Sequence, residues 1–150
     1  MKDLYKSISI LVFVTTLVSA AQTKPDLIGF KVTLTRDKSG IFVEKVEVTV
    51  TNTCRNSATR GSYVLVTFKE NEQPSSKAIY YAGNAVRALK GGESQTQTFN
   101  VMEKKIVFGR YLFIEADPDK KVAEASETNN WRTLFPDSTQ LIFIQRQCLL

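Results

Sequence analysis

The 150-residue sequence contains no histidine. Serine–histidine and cysteine–histidine nucleophiles, imidazole general bases and every histidine-containing metal site are therefore excluded. Cysteine is nearly absent as well, with two residues, so a disulfide-dense scaffold is ruled out. Four prolines and seven glycines, against 43% hydrophobic and 23% charged residues, do not suit a collagen-like or disordered chain. At this length one domain and a processing segment fit, and two full domains would be cramped. No apolar run reaches the roughly 20 residues that cross a bilayer as a helix.

The longest apolar run, residues 8–18, follows Lys2 and Lys6 and leads to the small residues Ala20 and Ala21. This order of charge, apolar stretch and small residues predicts a cleavable signal peptide over 1–20, cut after Ala20 or Ala21. The expected location is secreted or periplasmic, with no transmembrane anchor in the mature chain. Losing Lys2, Lys6 and Asp3 lowers the net charge from +5 to +4. The remaining basic residues are scattered between Lys24 and Arg146, never more than two in a row, which argues against a nucleic-acid partner.

Alternation of period two dominates the mature chain. Val46, Val48 and Val50 alternate with Glu47, Thr49 and Thr51, and the same period recurs at Val32 and Leu34, at Val64, Val66 and Phe68, and at Leu112, Ile114 and Ala116. Turn chemistry at 37–40, 56–61, 71–74, 91–92 and 117–119 separates these runs. Seven strands are expected near 27–35, 42–52, 62–70, 77–82, 94–102, 110–116 and 130–135, with an extra strand at 140–147. Short strands at this spacing, without amphipathic helices, predict an all-β, immunoglobulin-like antiparallel sandwich. The stretch 120–128 has one apolar pair, Val122 and Ala125, too little for a packed helix, and is expected to be a structured loop with at most one helical turn.

Pro25-Asp26-Leu27, Val46 through Asn52, Gly109-Arg110-Tyr111, and Asp117-Pro118-Asp119 followed by Glu124, Glu127, Asn129 and Asn130 resemble the cell-adhesion-related domain found in bacteria, CARDB. The resemblance runs over the mature chain to about Phe135, within a domain assigned to 25–150, and leaves 136–150 as a tail. It implies an immunoglobulin-like extracellular module that is adhesive or accessory and carries no catalytic residues.

The segment 115–130 gathers five carboxylates and two amides. Hard cations favour such oxygen clusters, and an irregular calcium loop would use Asp117, Asp119 and Glu127. As an EF-hand the segment fails, since Lys121, Val122 and Thr128 occupy positions that need a ligand, a glycine and a ligand. The favoured expectation is that these groups brace the loop backbone and that no cofactor is bound. A glycosidase-type acid–base pair is disfavoured because an exposed loop offers no pocket to raise a pKa. Ser75-Ser76-Lys77 lacks S-x-x-K spacing and is a polar turn. Tyr80 and Tyr81 are adjacent in a strand, so their rings point to opposite faces. The lone tryptophan, Trp131, is expected to cap one end of the core, and no aromatic ladder for sugars is apparent.

Cys54 and Cys148 are expected to bridge. A strand over 140–147 runs back towards the pole where the second strand ends, and an oxidising compartment permits oxidation. The alternatives are two separate thiols or an intermolecular bridge. The functional expectation is a secreted, non-enzymatic module binding a protein or glycan at the cell envelope through a loop pole that includes Arg55, Arg60, Asp119 and Glu124. The alternative is a secreted inhibitor or periplasmic assembly factor acting by loop insertion or by strand addition along 77–82 or 140–147.

Overall fold

The computed structural model describes residues 24–73, 75–134 and 140–142. The expected signal peptide, Cys148 and the distal part of the tail lie outside these residues. Eight strands follow in order: β1 (Leu27–Arg36), β2 (Val43–Asn52), β3 (Ser62–Lys69), β4 (Ala78–Val86), β5 (Ser94–Asn100), β6 (Tyr111–Ala116), β7 (Trp131–Leu134) and β8 (Gln140–Ile142). They form two antiparallel sheets, β5-β2-β1-β8 and β4-β3-β6-β7. This is the expected sandwich. Its β4 pairs with β3 in the second sheet, not with β5 in the first.

The alternation places its apolar side chains as anticipated. Val32, Leu34, Val46, Val48, Val50 and Phe99 of the first sheet pack in one core with Val64, Val66, Phe68, Leu112 and Ile114 of the second. Two boundaries differ from expectation. β4 continues to Val86 through Gly83, Asn84 and Ala85, residues with little intrinsic strand preference that are held by pairing with β3. β5 stops at Asn100, because Val101 starts a single 3-10 turn, Met102–Lys104, closed by Lys105 in the left-handed region at φ 47°. No helical turn occurs in 120–128.

One flank of the sandwich is sealed by amide side chains. Asn84 Nδ2 of β4 donates to the Thr98 carbonyl of β5 at 3.0 Å, and Gln97 Nε2 of β5 donates to the Ala85 carbonyl of β4. Gln95 Oε1 accepts the Arg87 backbone N–H at 2.9 Å. With β4 and β5 on this flank, β7 and β8 are the edges of the other.

β8 pairs with β1 through Thr33↔Gln140 and Lys31↔Ile142, so it advances towards Leu27, which pairs with Asn52 at the end of β2. Cys54, just beyond, is buried, and the described residues hold no free thiol. Chain direction and burial thus support the expected Cys54–Cys148 pairing, which we keep as a proposal.

Candidate binding surface

At the pole where β2 ends, the loop over 117–130 folds onto the start of β1 through its polar side chains. Asp117, at φ 47°, is buried. Its carboxylate accepts the backbone N–H groups of Lys121 at 3.1 Å and Val122 at 2.7 Å. Glu124, only 4% exposed, accepts the Leu27 N–H at 2.6 Å and Asn130 Nδ2 at 3.2 Å. Glu127 Oε1 accepts the Glu124 N–H at 3.0 Å. Asn129 Nδ2 donates to both oxygens of buried Asp26, whose Oδ2 also takes the Thr53 hydroxyl at 3.2 Å. The loops over 53–61 and 117–130 therefore share one pole, with Asp26 bridging them.

Burial pushes the Glu124 carboxyl up to about 8, and the charges of Glu127, Asp117 and Asp26 push the same way against the Leu27 N–H. Burial also raises Asp26, opposed by its bonds to Asn129 and Thr53 and by the charge of Arg132. Glu127 Oε2 and Asn130 Oδ1 are buried without a donor. The loop is thus not the exposed segment that its composition suggested, and it does raise a carboxyl pKa.

The sequence-predicted site residues are spread over different environments. Glu124 turns inward and presents almost no surface, because its carboxylate is committed to Leu27 and Asn130. Of the calcium candidates, Asp117 serves loop backbone and Glu127 serves the Glu124 N–H. Asp119 takes the Tyr63 hydroxyl at 2.9 Å and lies 3.4 Å from Lys121 Nζ. Among the described residues no three His, Cys, Asp or Glu side chains form a group that could hold a metal. Arg55 and Arg60 are exposed, and their loop docks on 87–93: the Ala58 N–H donates to the Leu89 carbonyl at 2.9 Å, and a Cβ on Gly91 would collide with the Arg55 carbonyl. Within the acidic loop Lys121 pairs with Asp119.

The surface that sequence reasoning missed is the outer face of β4-β3-β6-β7. Trp131 is 58% exposed and does not cap the core, because β7 alternates with Leu134 turned inward. Tyr81 is 72% exposed, whereas Tyr80 packs against the core, as alternation requires. The pairings lay out two rows across the four strands. Tyr81, Thr67, Phe113 and Thr133 form one, and Gly83, Leu65, Glu115 and Trp131 form the next. Leu65, Thr67, Lys69, Phe113, Glu115 and Trp131 line an open groove of about 330 Å³ there. Lys69 Nζ lies 4.7 Å from the Phe113 ring centre. Gly83 has no side chain opposite Leu65, and a Cβ there would press on the Tyr63 ring at 3.3 Å. The available signal was the outward set Leu65, Tyr81, Phe113 and Trp131, which is apolar where the other outer face carries Thr, Ser, Lys and Glu.

The CARDB profile matches residues 24–134, which include β1 to β7 and the whole loop over 117–130. The chain belongs to the CARDB family. Against solved structures, this CARDB domain is similar to β-glucosidase 3B from Thermotoga neapolitana in complex with α-D-glucose, at 14% identity and a TM-score of 0.37. That match covers 78% of this chain and 17% of the glucosidase chain. No curated protein matches. Among the described residues no helix is long and apolar enough to cross a membrane.

Proposed function

We propose that this CARDB domain is an exported, non-enzymatic binding module that recognises a protein or glycan of the cell envelope through the outer face of β4-β3-β6-β7. The observation that carries this reading is the outward apolar and aromatic set of Leu65, Tyr81, Phe113 and Trp131 on a hydrogen-bonded sheet, with Tyr81 and Trp131 exposed and Leu65 and Phe113 half-buried. Scattered surface apolar residues are ordinary, but a contiguous patch rimmed by polar groups marks an interaction site. Rings fixed on strands lose little conformational entropy on binding, which suits them as anchors. The loop pole supports recognition less well, since most of its acidic groups are spent on its own backbone.

Cosedimentation of the purified domain with washed cell envelopes tests the reading. Leu65→Lys, which places a charge amid the rings, is expected to abolish binding with little loss of stability at its half-buried position. If binding survives Leu65→Lys and is lost on charge reversal at Arg55 and Arg60, the loop pole is the recognition surface. Strand addition is the second reading. The flank formed by β7 and β8 favours it, because the β4 and β5 flank is already bridged by Asn84 and Gln97.

A further inference from the structure

At the end of the sandwich remote from the loop over 117–130, the connections expose apolar side chains where loops are ordinarily polar. β1 finishes there at Arg36, β2 starts at Val43, β5 finishes at Asn100 and β6 starts at Tyr111, so the segments 37–42 and 101–110 share it. Ile41, Met102 and Val107 are 53%, 45% and 43% exposed, although they belong to backbone that is firmly tied. The Phe108 N–H donates to the Ile41 carbonyl and the Val43 N–H to the Ile106 carbonyl, both at 2.8 Å, around a bridge between Phe42 and Val107. The Val101 N–H donates to the Glu44 carbonyl at 2.9 Å, which fixes the 3-10 turn of Met102 against the start of β2. Val43 and Ile106 are buried in the core, so alternation turns Val107 outward. The Arg36 guanidinium covers the Phe108 ring at 3.5 Å, which leaves Ile41, Met102 and Val107 as the exposed apolar side chains of this tip.

Cations outnumber carboxylates around the tip. Residues 36–45 and 101–110 hold Arg36, Lys38, Lys45, Lys104, Lys105 and Arg110 against Asp37, Glu44 and Glu103, a net of +3. Glu70, Glu72 and Lys77 of the adjoining β3–β4 turn bring it to +2. The charges are not equally available. Asp37 is committed to its own turn, accepting the Ser39 hydroxyl at 2.7 Å and the Phe42 N–H at 3.0 Å, and these bonds hold its carboxyl below the usual range. Lys45 meets Glu47 at 3.1 Å, and Arg110 lies 4.0 Å from Glu70. Lys38, Lys104 and Lys105 are exposed and enter none of the ion pairs among the described residues, with Glu44 and Glu103 the exposed carboxylates of the same segments.

Aliphatic side chains ringed by lysine match a protein partner poorly, because protein interfaces favour aromatic residues and arginine and are depleted in lysine. A bilayer interface matches both parts. Aliphatic side chains gain by leaving water at the headgroup boundary, and an ammonium on a long stem stays level with the lipid phosphates as a compact point charge. The net positive charge is complementary to an anionic leaflet, towards which each lysine adds an attraction that salt screens. We propose that the tip formed by 37–42 and 101–107 docks the domain on an anionic lipid bilayer, with Ile41, Met102 and Val107 entering the headgroup region and Lys38, Lys104 and Lys105 meeting its phosphates. The contact is separate from the outer face of β4-β3-β6-β7. It stands the sandwich on end and leaves that face free at the side.

Flotation of the full domain with lipid vesicles tests this. Vesicles of phosphatidylglycerol and phosphatidylethanolamine in equal parts are expected to carry the domain at low salt, and vesicles of phosphatidylcholine to leave it behind. Binding should be lost at high salt, which separates it from envelope binding through the outer face. Lys38→Glu with Lys104→Glu is expected to weaken binding at least about tenfold, whereas Lys31→Glu with Lys90→Glu, the same change of charge away from the tip, should have little effect. Ile41→Ser with Val107→Ser, which leaves the charge alone, should also weaken binding at least about tenfold. Trp131, the one tryptophan, opens β7 at the other end of the sandwich, so its emission should not move when vesicles bind. No binding to the anionic vesicles, equal binding to phosphatidylcholine, or binding that survives either tip variant overturns the inference. A shift of Trp131 emission to shorter wavelength does so as well, since the outer face would then be the side that enters the bilayer. If washed envelopes bind through the tip while pure lipid does not, the occupant is a protein or an anionic polymer, and the inference is likewise overturned.

Discussion

The two outer faces of the sandwich come from strands of the same length and alternation, yet they are chemically opposite. On β5-β2-β1 the outward residues are Lys31, Thr33, Thr35, Lys45, Glu47, Thr49, Thr51, Ser94, Thr96 and Thr98. They satisfy one another: Thr49 and Thr96 share a hydrogen bond at 2.8 Å, Thr51 and Ser94 another at 2.8 Å, and Lys45 meets Glu47 at 3.1 Å. On β4-β3-β6-β7 the outward positions hold Ile79, Tyr81, Leu65, Phe113 and Trp131 among Thr67, Lys69, Glu115 and Thr133, and the apolar members bring surface to solvent without completing any core. Threonine and charge suffice for a strand facing water. The second face exceeds what folding asks of it, and that surplus is why we propose it as the recognition surface.

The largest expected effect comes from making the two faces alike. Replacing Tyr81, Phe113 and Trp131 together by threonine, which favours strands, should reduce envelope binding by more than about two orders of magnitude, as expected of clustered anchors worth about 2 kcal/mol or more each. Thermal unfolding should fall by only a few degrees, because the three positions lie outside the core. Collapse of the fold would show instead that the rings are structural and that the contrast between faces has no functional meaning.

A second test asks whether the aromatic face depends on the pole that leads into it. Trp131 follows directly on Asn129 and Asn130, and the Asn130 carbonyl accepts the Ala116 N–H at 2.8 Å. Folded Glu124 keeps its proton up to about pH 8, whereas the ordinary value is 4.5. Between these values the folded chain binds more protons than the unfolded one, so stability falls as pH rises through the window. A proton on Glu124 Oε1 also supplies the donor that Asn130 Oδ1 lacks, once that amide turns over. Melting temperature is expected to drop by several degrees from pH 5.5 to pH 8.5, with ligand affinity falling alongside it. Glu124→Gln, neutral at every pH, should flatten both curves. Glu93, which the Arg87 guanidinium holds down at about 2, adds stability only above that value and loses it in acid, outside this window.

The core was legible in the sequence because period-two alternation has a single physical cause, one buried face. Inward positions anticipated from the alternation are buried, Val32, Val46, Val48, Val50, Phe68 and Leu112 among them. The aromatic outer face and the buried acidic pole were not legible, for two reasons. Trp131 and Phe113 are large and apolar, and composition alone assigns such residues to a core; only strand pairing shows that they line up with Leu65 and Tyr81 on the wet side. Glu124 and Asp117 are charged, and charge in a loop suggests exposure. Their burial depends on backbone donors such as the Leu27 N–H, 97 positions away from Glu124, a contact that no local pattern announces. The pole itself was anticipated from topology, and the Lys121–Asp119 ion pair within it was not.

The smallest expected effect completes the contrast. Thr49→Val with Thr96→Val removes both members of a solvent-exposed hydroxyl pair while keeping shape and strand preference. It should change stability by less than about 1 kcal/mol and leave envelope binding as it was. A loss of binding in denaturant-matched samples would assign function to the first face.

The sealed flank sets how copies of this domain can meet. A sandwich with four bare edges could pair at either side and so grow into an open row of molecules. Here Asn84, Gln95 and Gln97 take the Thr98 and Ala85 carbonyls and the Arg87 N–H on the β4 and β5 side, three backbone groups that a visiting strand would otherwise find open. Strand pairing between copies is thereby steered away from that flank. Three amides at inward-facing positions of edge strands, which add little to the core, thus make that flank the less receptive side for another copy.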